Sequence, residues 1–136
     1  MSDDEEEAVI AANRAFYRAF ASGDMAAMDA LWARERPVSC IHPGGPVLAS
    51  RAVIMESWAS ILLGPDRPAV RPQKLRVFGF GDTAFVTCYE RVTDGLLAAT
   101  NVYARERGAW KMVLRQSSPA FPAVPESRQD RPLVLH

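Results

Sequence analysis

Cysteine and histidine are both scarce in this sequence, with two of each among 136 residues. Cys40 and Cys88 stand far apart, each inside an apolar run, so neither a CxxC redox pair nor a zinc-ligand spacing exists. Two buried free thiols are expected. Charge of one sign is also missing. The 16 basic and 16 acidic side chains cancel and no Lys/Arg block stands out, so the footprint of a nucleic-acid binder is absent and small or apolar partners are favoured. No apolar run approaches the ~18 residues needed to span a bilayer, which argues against membrane insertion. The acidic opening SDDEEE is the opposite of a signal peptide's basic start, and a cytoplasmic location is expected. No internal repeat is visible.

What remains fits one domain. Residues 1–118 read as that domain and residues 119–136 as an extended tail, marked by Pro119, Pro122, Pro125 and Pro132 and ending in the apolar Leu133, Val134 and Leu135. Docking of this end on a partner subunit and fraying are both compatible with it. Ser2 and Glu5 form a capping-box pattern ahead of an apolar stripe through Val9, Phe16, Tyr17 and Phe20, which stops at Ser22-Gly23. Asp24 caps a short second helix with Met25, Met28, Leu31 and Trp32 on one side. A short strand, Val38 to Ile41, leads into the turn formers after His42. Ser50 then caps a third helix with Val53, Ile54, Trp58, Ile61 and Leu62 on its apolar side, ended by Gly64-Pro65.

Beyond Gln73 the period changes from helical to strand-like. Four runs, 73–80, 83–92, 97–107 and 109–118, are separated by Gly81-Asp82, Asp94-Gly95 and Gly108, the pattern of an antiparallel meander. Helices first and strands afterwards predict an α+β domain with helices on one sheet face. In the last three strands Phe85, Tyr89, Leu97, Tyr103, Trp110, Met112 and Leu114 share one parity; Val86, Cys88, Val92, Val102 and Val113 hold the other. Neither face reads as polar, and helices hide only one. A homodimer pairing sheet against sheet is therefore expected.

Four strings carry a resemblance: FYRAFASGDMAAMDALWA (16–33), SCIHPGG (39–45), IMESWASIL (54–62) and ATNVYARERGAWKMVLRQSSP (99–119). With them the chain resembles the SnoaL-like proteins of the NTF2-like superfamily, near the ketosteroid-isomerase-like group. The resemblance implies a cone-shaped α+β barrel, a cystatin-like arrangement in which a curved antiparallel sheet wraps around the long first helix and leaves a deep apolar pocket. It also implies dimers, and a family spanning isomerases, cyclases, dehydratases, epoxide hydrolases and proteins without activity, so fold alone does not set function. Similar sequences often carry histidines late in the last strand, where this one has Leu114, Arg115 and Gln116. A two-histidine zinc site has almost no material here, and no metal or other cofactor is expected.

By the geometry the resemblance implies, Asn13, Phe16, Tyr17 and Phe20 from the first helix line the pocket with Trp32, His42 and Trp58. Tyr89, Asn101 and Gln116 are expected to point inward from the strands. Such a lining suits a flat hydrophobic molecule held by one or two hydrogen bonds. His42 has an ordinary pKa near neutrality and so is the candidate acid or base, with Tyr17 or Trp58 as donor to an oxyanion. The competing reading makes His42 a hydrogen-bonded turn residue before Pro43. Glu90, among apolar strand residues, is either a buried base or the partner of Arg91, Arg105 or Arg115. Two function classes follow. One is an isomerase- or cyclase-type enzyme on a small, mostly apolar carbonyl compound; the other is a non-catalytic ligand-binding or dimerisation module. No GxSxG string supports a nucleophilic hydrolase.

Overall fold

A computed structural model of the chain describes residues 1–121. Of the tail expected over residues 119–136, residues 122–136 lie outside the described residues, while Pro119 belongs to the last strand and the Ala120 amide donates to the Leu96 carbonyl at 2.9 Å. Helix α1, Asp3–Ser22, starts where Ser2 and Glu5 close a reciprocal capping box, with four acidic residues in the first turn facing the positive end of the helix dipole. It ends at Gly23, whose left-handed φ of 68° suits glycine. A side chain there would also meet the Arg67 guanidinium, since an ideal Cβ lies 2.4 Å from its Nη1. Asp24 accepts from the Ala27 amide to cap α2, Met25–Leu31, and Ser50 does the same for α3, Arg51–Leu63, through Val53. Val53 itself is exposed, so the buried side of α3 is Ile54, Trp58 and Leu62 rather than the wider stripe expected.

Five strands form one sheet. They are β1 (Ser39–Ile41), β2 (Arg71–Phe80), β3 (Thr83–Val92), β4 (Gly95–Glu106) and β5 (Ala109–Pro119), in the order β1-β5-β4-β3-β2. Strands β2 to β5 make the expected antiparallel meander. The short β1 is the exception to an all-antiparallel sheet: it returns from the helical half of the chain and runs parallel to β5 at its edge. Strand β2 begins two residues earlier than its pattern suggested. A bulge between Gln73 and Arg76, with Lys74 at a φ of 55°, interrupts the alternation there.

The core lies between the helices and one sheet face. Phe16 and Phe20 of α1 meet Trp58 of α3 edge to face, at centroid separations of 5.5 and 5.1 Å. Beneath them the inward residues of β3 are Ala84, Val86, Cys88 and Glu90, followed across β4 by Ala99, Asn101 and Tyr103. A bulge between Val102 and Tyr103 resets the register on β5, so Met112 and then Arg115 and Ser117 point inward, with two residues rather than one between the first pair. The supposed single parity therefore divides: Tyr103, Trp110 and Met112 are buried, whereas Phe85 and Tyr89 lie on the outer face.

Candidate functional site

Between the end of α3, the following loop and the ends of β3, β4 and β5 is a cavity of about 480 Å³. Its walls include Phe20, Ile61, Val70, Val92 and Leu97. His42 stands at one side, and Glu90 and Arg115 at the base. Ser60 and Asp66 also line it. His42, Glu90 and Arg115 are each set by their elements. Glu90 closes the inward series of β3; Arg115 follows the β5 bulge; His42 is the first residue after β1, where Pro43 starts the turn.

Arg115 and Glu90 form a buried two-pronged ion pair, Nη1 to Oε2 at 2.6 Å and Nη2 to Oε1 at 3.1 Å, with side-chain exposures of 2% and 0%. They meet across β4, where Ala99, paired with Cys88 and Ser117 on either side, adds only a methyl group. Ser117 Oγ donates to Glu90 Oε1 at 2.9 Å, and the Tyr17 hydroxyl donates to Oε2. Since the Tyr17 proton is used there, its oxygen accepts from Asn101 Nδ2 at 3.0 Å and from the Cys88 thiol at 3.2 Å. Asn13 Oδ1 accepts in turn from Asn101 Nδ2 at 3.0 Å and from the Tyr103 hydroxyl at 2.8 Å. The rings of Phe16, Phe20 and Trp58 cover the guanidinium, with its carbon 5.1, 5.9 and 5.9 Å from their centroids.

This network fixes protonation. Burial pushes the Glu90 carboxyl up, but the Arg115 charge and the hydrogen bonds from Arg115, Tyr17 and Ser117 outweigh it and hold Glu90 below the ordinary carboxylate range. Burial, reinforced by the Glu90 charge, raises Tyr17 far above the ordinary phenol, so it stays a donor. His42 lies 4.9 Å from Trp58 edge to face, and its Nε2 is 2.9 Å from Ser57 Oγ. Burial, then the nearby Arg115 charge, lowers its pKa to about 4, so the imidazole is neutral at pH 7. Cys40, 3.7 Å from the same nitrogen, is pushed up to about 11 by burial and is a poor nucleophile at neutral pH.

The residues expected at one pocket divide into five groups. Phe20 and His42 line the cavity. Phe16, Tyr17 and Trp58 form the packed layer behind it, and Asn13 and Asn101 are fully buried struts of the network. Trp32 is buried farther off, beside a separate depression with Arg34, Glu35 and Lys111. Tyr89 and Gln116 do not point inward as expected. They line a groove of about 660 Å³ on the opposite sheet face, because Glu90 and Arg115 hold the inward positions and neighbours on a strand alternate. That groove is larger, but it holds neither His42 nor the ion pair. From the sequence Arg115 is expected as one of three partners for Glu90 and as a residue standing where similar sequences carry histidine, but not as part of the cavity. The available signal is a charged residue within an otherwise uncharged inward series, after Ala84, Val86 and Cys88 on β3 and after Trp110 and Met112 on β5. Among the described residues no three His, Cys, Asp or Glu side chains converge as metal ligands, and no helix is long and apolar enough to cross a membrane.

A helical layer over a curved five-stranded sheet, open at one end into an apolar cavity, is the architecture of NTF2-like, cystatin-like α+β proteins. The description of the SnoaL-like domain matches residues 9–122, and the chain belongs to that family. A crystal structure from Streptomyces avermitilis, described as a candidate dehydratase of the NTF2-like family, is 34% identical with a TM-score of 0.80, over 88% of this chain and 98% of that one. A candidate calcium/calmodulin-dependent protein kinase type II association domain from Thiobacillus denitrificans is 32% identical with a TM-score of 0.69, over 82% and 94%. An NTF2-like protein of unknown function from Pseudomonas putida shares the fold at 18% identity and a TM-score of 0.76, over 92% and 99%. No curated protein matches the chain.

Proposed function

We propose that the chain binds a small, mostly apolar carbonyl compound in the cavity beside His42, as a homodimer built on the outer sheet face. The observation that carries the binding site is the combination of apolar walls with a charged pair at the base, which suits a hydrophobic body with one polar end. A second reading, acid/base catalysis of the isomerase, cyclase or dehydratase type, is favoured by the 34% identity to the candidate dehydratase. Within that reading His42 is the acid or base and Tyr17 the donor. The protonation states weigh against strong catalysis, because general acid/base groups work best with pKa values near the operating pH. His42 at about 4 and Glu90 below its ordinary value are weak bases, and Tyr17 is committed to Glu90. Binding is therefore the primary reading.

The test is His42→Ala, measured for melting temperature and for affinity toward 2-acetonaphthone, an apolar ketone. A ligand-contacting His42 predicts an affinity loss of about tenfold with a small change in melting temperature. A large fall in melting temperature with unchanged affinity would remove His42 from the site.

A further inference from the structure

The outer sheet face has two ends of different character. Near the β2–β3 turn it carries the exposed rings of Phe78 and Phe80 beside Phe85. Toward the point where the chain leaves β5 it opens into the groove of about 660 Å³. The register sets Tyr89, Ala98 and Ser118 side by side in one row and Thr87, Thr100 and Gln116 in the next, so short side chains on β4 form the floor. Lys74 and Arg76 stand along the β2 wall, and none of the described residues lining the groove is acidic. Beside that wall Arg71 and Arg91 are exposed and directly opposite each other across the two strands, an arrangement in which like charges repel. Glu90 faces inward to Arg115, and Asp94 lies past the end of β3 in the turn. The β2 bulge also falls here. Its Lys74, at a φ of 55°, adopts a backbone conformation that costs energy for a residue with a side chain and is kept where a side chain is re-aimed.

Ser118, on the β5 rim of the groove, is three residues from Phe121, after which the sequence continues with Pro122, Ala123, Val124, Pro125 and Glu126. The two prolines lack an amide N–H, so this stretch cannot supply a full set of donors to a further strand; it is suited to an extended polyproline conformation lying on a face. At about 3.1 Å per residue the five steps from Phe121 to Glu126 cover about 16 Å. Crossing from β5 to β2 takes three strand spacings, about 14 Å. Glu126 precedes the basic Arg128 and Arg131, so the first charge to reach the positive wall is of opposite sign. We propose that residues 122–127 fold back across the outer groove of their own chain, with Val124 over the floor of Ala98 and Thr100 and Glu126 against Lys74 and Arg76. Reach, charge and the point of departure from β5 agree on this occupant. The aromatic end of the same face is left to the second copy.

The experiment attaches a nitroxide to the full chain through Ser127→Cys; Cys40 and Cys88 are buried, so the label goes to position 127. The amide NMR signals of Thr87 and Thr100 should be lost, and those of Ala27 and Met28 on α2, across the sheet, should remain. Adding Glu126→Lys should return the lost signals, as should Lys74→Glu with Arg76→Glu. All three changes together exchange the charges and should remove the signals again. In a mixture of isotope-labelled chains without nitroxide and nitroxide-bearing chains without isotope, the Thr87 and Thr100 signals should persist. Their loss in the mixture would make the second copy the occupant and overturn the proposal. It would also fall if both signals survive in the nitroxide-bearing chain, if they are lost whatever the charge at 126, or if the exchanged charges fail to remove them. Should the Lys74 and Arg76 changes prevent folding, Glu126→Lys and the mixture still decide.

Discussion

The two faces of the sheet are built from alternating residues of the same strands, yet they are organised by opposite rules. On the inner face Glu90, Arg115, Tyr17, Asn13 and Asn101 are tied into one hydrogen-bonded network under a lid of aromatic rings. On the outer face Phe78 stacks on Phe85 at 4.8 Å and Phe80 lies 61% exposed, while Thr87, Thr100, Gln116 and Ser118 edge an open groove. Where water is excluded, polar groups must look for partners within the chain, and with Asn13 Nδ2 and Arg115 Nε as exceptions the inner face becomes one connected network. Where water or another copy supplies the partners, positions remain nearly independent.

The largest test of that contrast uses adjacent residues of β5. Arg115→Met strands a buried carboxylate and should cost about 3–5 kcal/mol in urea unfolding, whereas Gln116→Met, one residue along and facing outward, should change stability by no more than about 0.5 kcal/mol. Equal effects would erase the distinction. A smaller effect comes with acid. The folded chain holds His42 at about 4 against an ordinary 6.5, so between those values the unfolded chain binds the extra proton and stability falls as pH drops, the loss being complete below about 4. Glu90, lowered from 4.5, adds a further loss as pH falls past its ordinary value toward its folded one. His42→Gln should flatten the first part of the stability profile and leave the second. The smallest effect on stability is expected for Phe80→Ser, within about 0.5 kcal/mol because the ring is exposed. Its effect on association should be clear. Sedimentation of the unaltered chain should give a species above 15.0 kDa, shifted toward 15.0 kDa by Phe78→Ser with Phe80→Ser; a clean 15.0 kDa species for the unaltered chain at micromolar concentration would end the dimer proposal.

The local chemistry of the fold was legible. Ser2, Asp24 and Ser50 cap the three helices as their patterns predicted, and Gly81-Asp82, Asp94-Gly95 and Gly108 mark the turns of the meander. These signals act over a few residues, so reading them needs no knowledge of the rest. The site was less legible because its logic is long-range. Alternation shows that Glu90 and Tyr89 face opposite ways but not which faces the helices, and only the bulge at Val102/Tyr103 puts Arg115 inward instead of Gln116. The pairing of Arg115 with Glu90 spans a whole intervening strand, a relation that spacing along the chain does not encode.

Ser57 carries one last consequence. Its hydroxyl has a single proton, and the Ile54 carbonyl 2.7 Å away on the same helix takes it. Toward His42 the oxygen therefore offers only a lone pair, and the imidazole proton resides on Nε2. The neutral ring is held in one tautomer, with Nδ1 unprotonated and 4.0 Å from the Cys40 sulfur. That nitrogen lies beside the Cys40 thiol, which keeps its proton at neutral pH, so the imidazole ties two parts of the chain at once: it donates to Ser57 of α3 and accepts weakly from the end of β1.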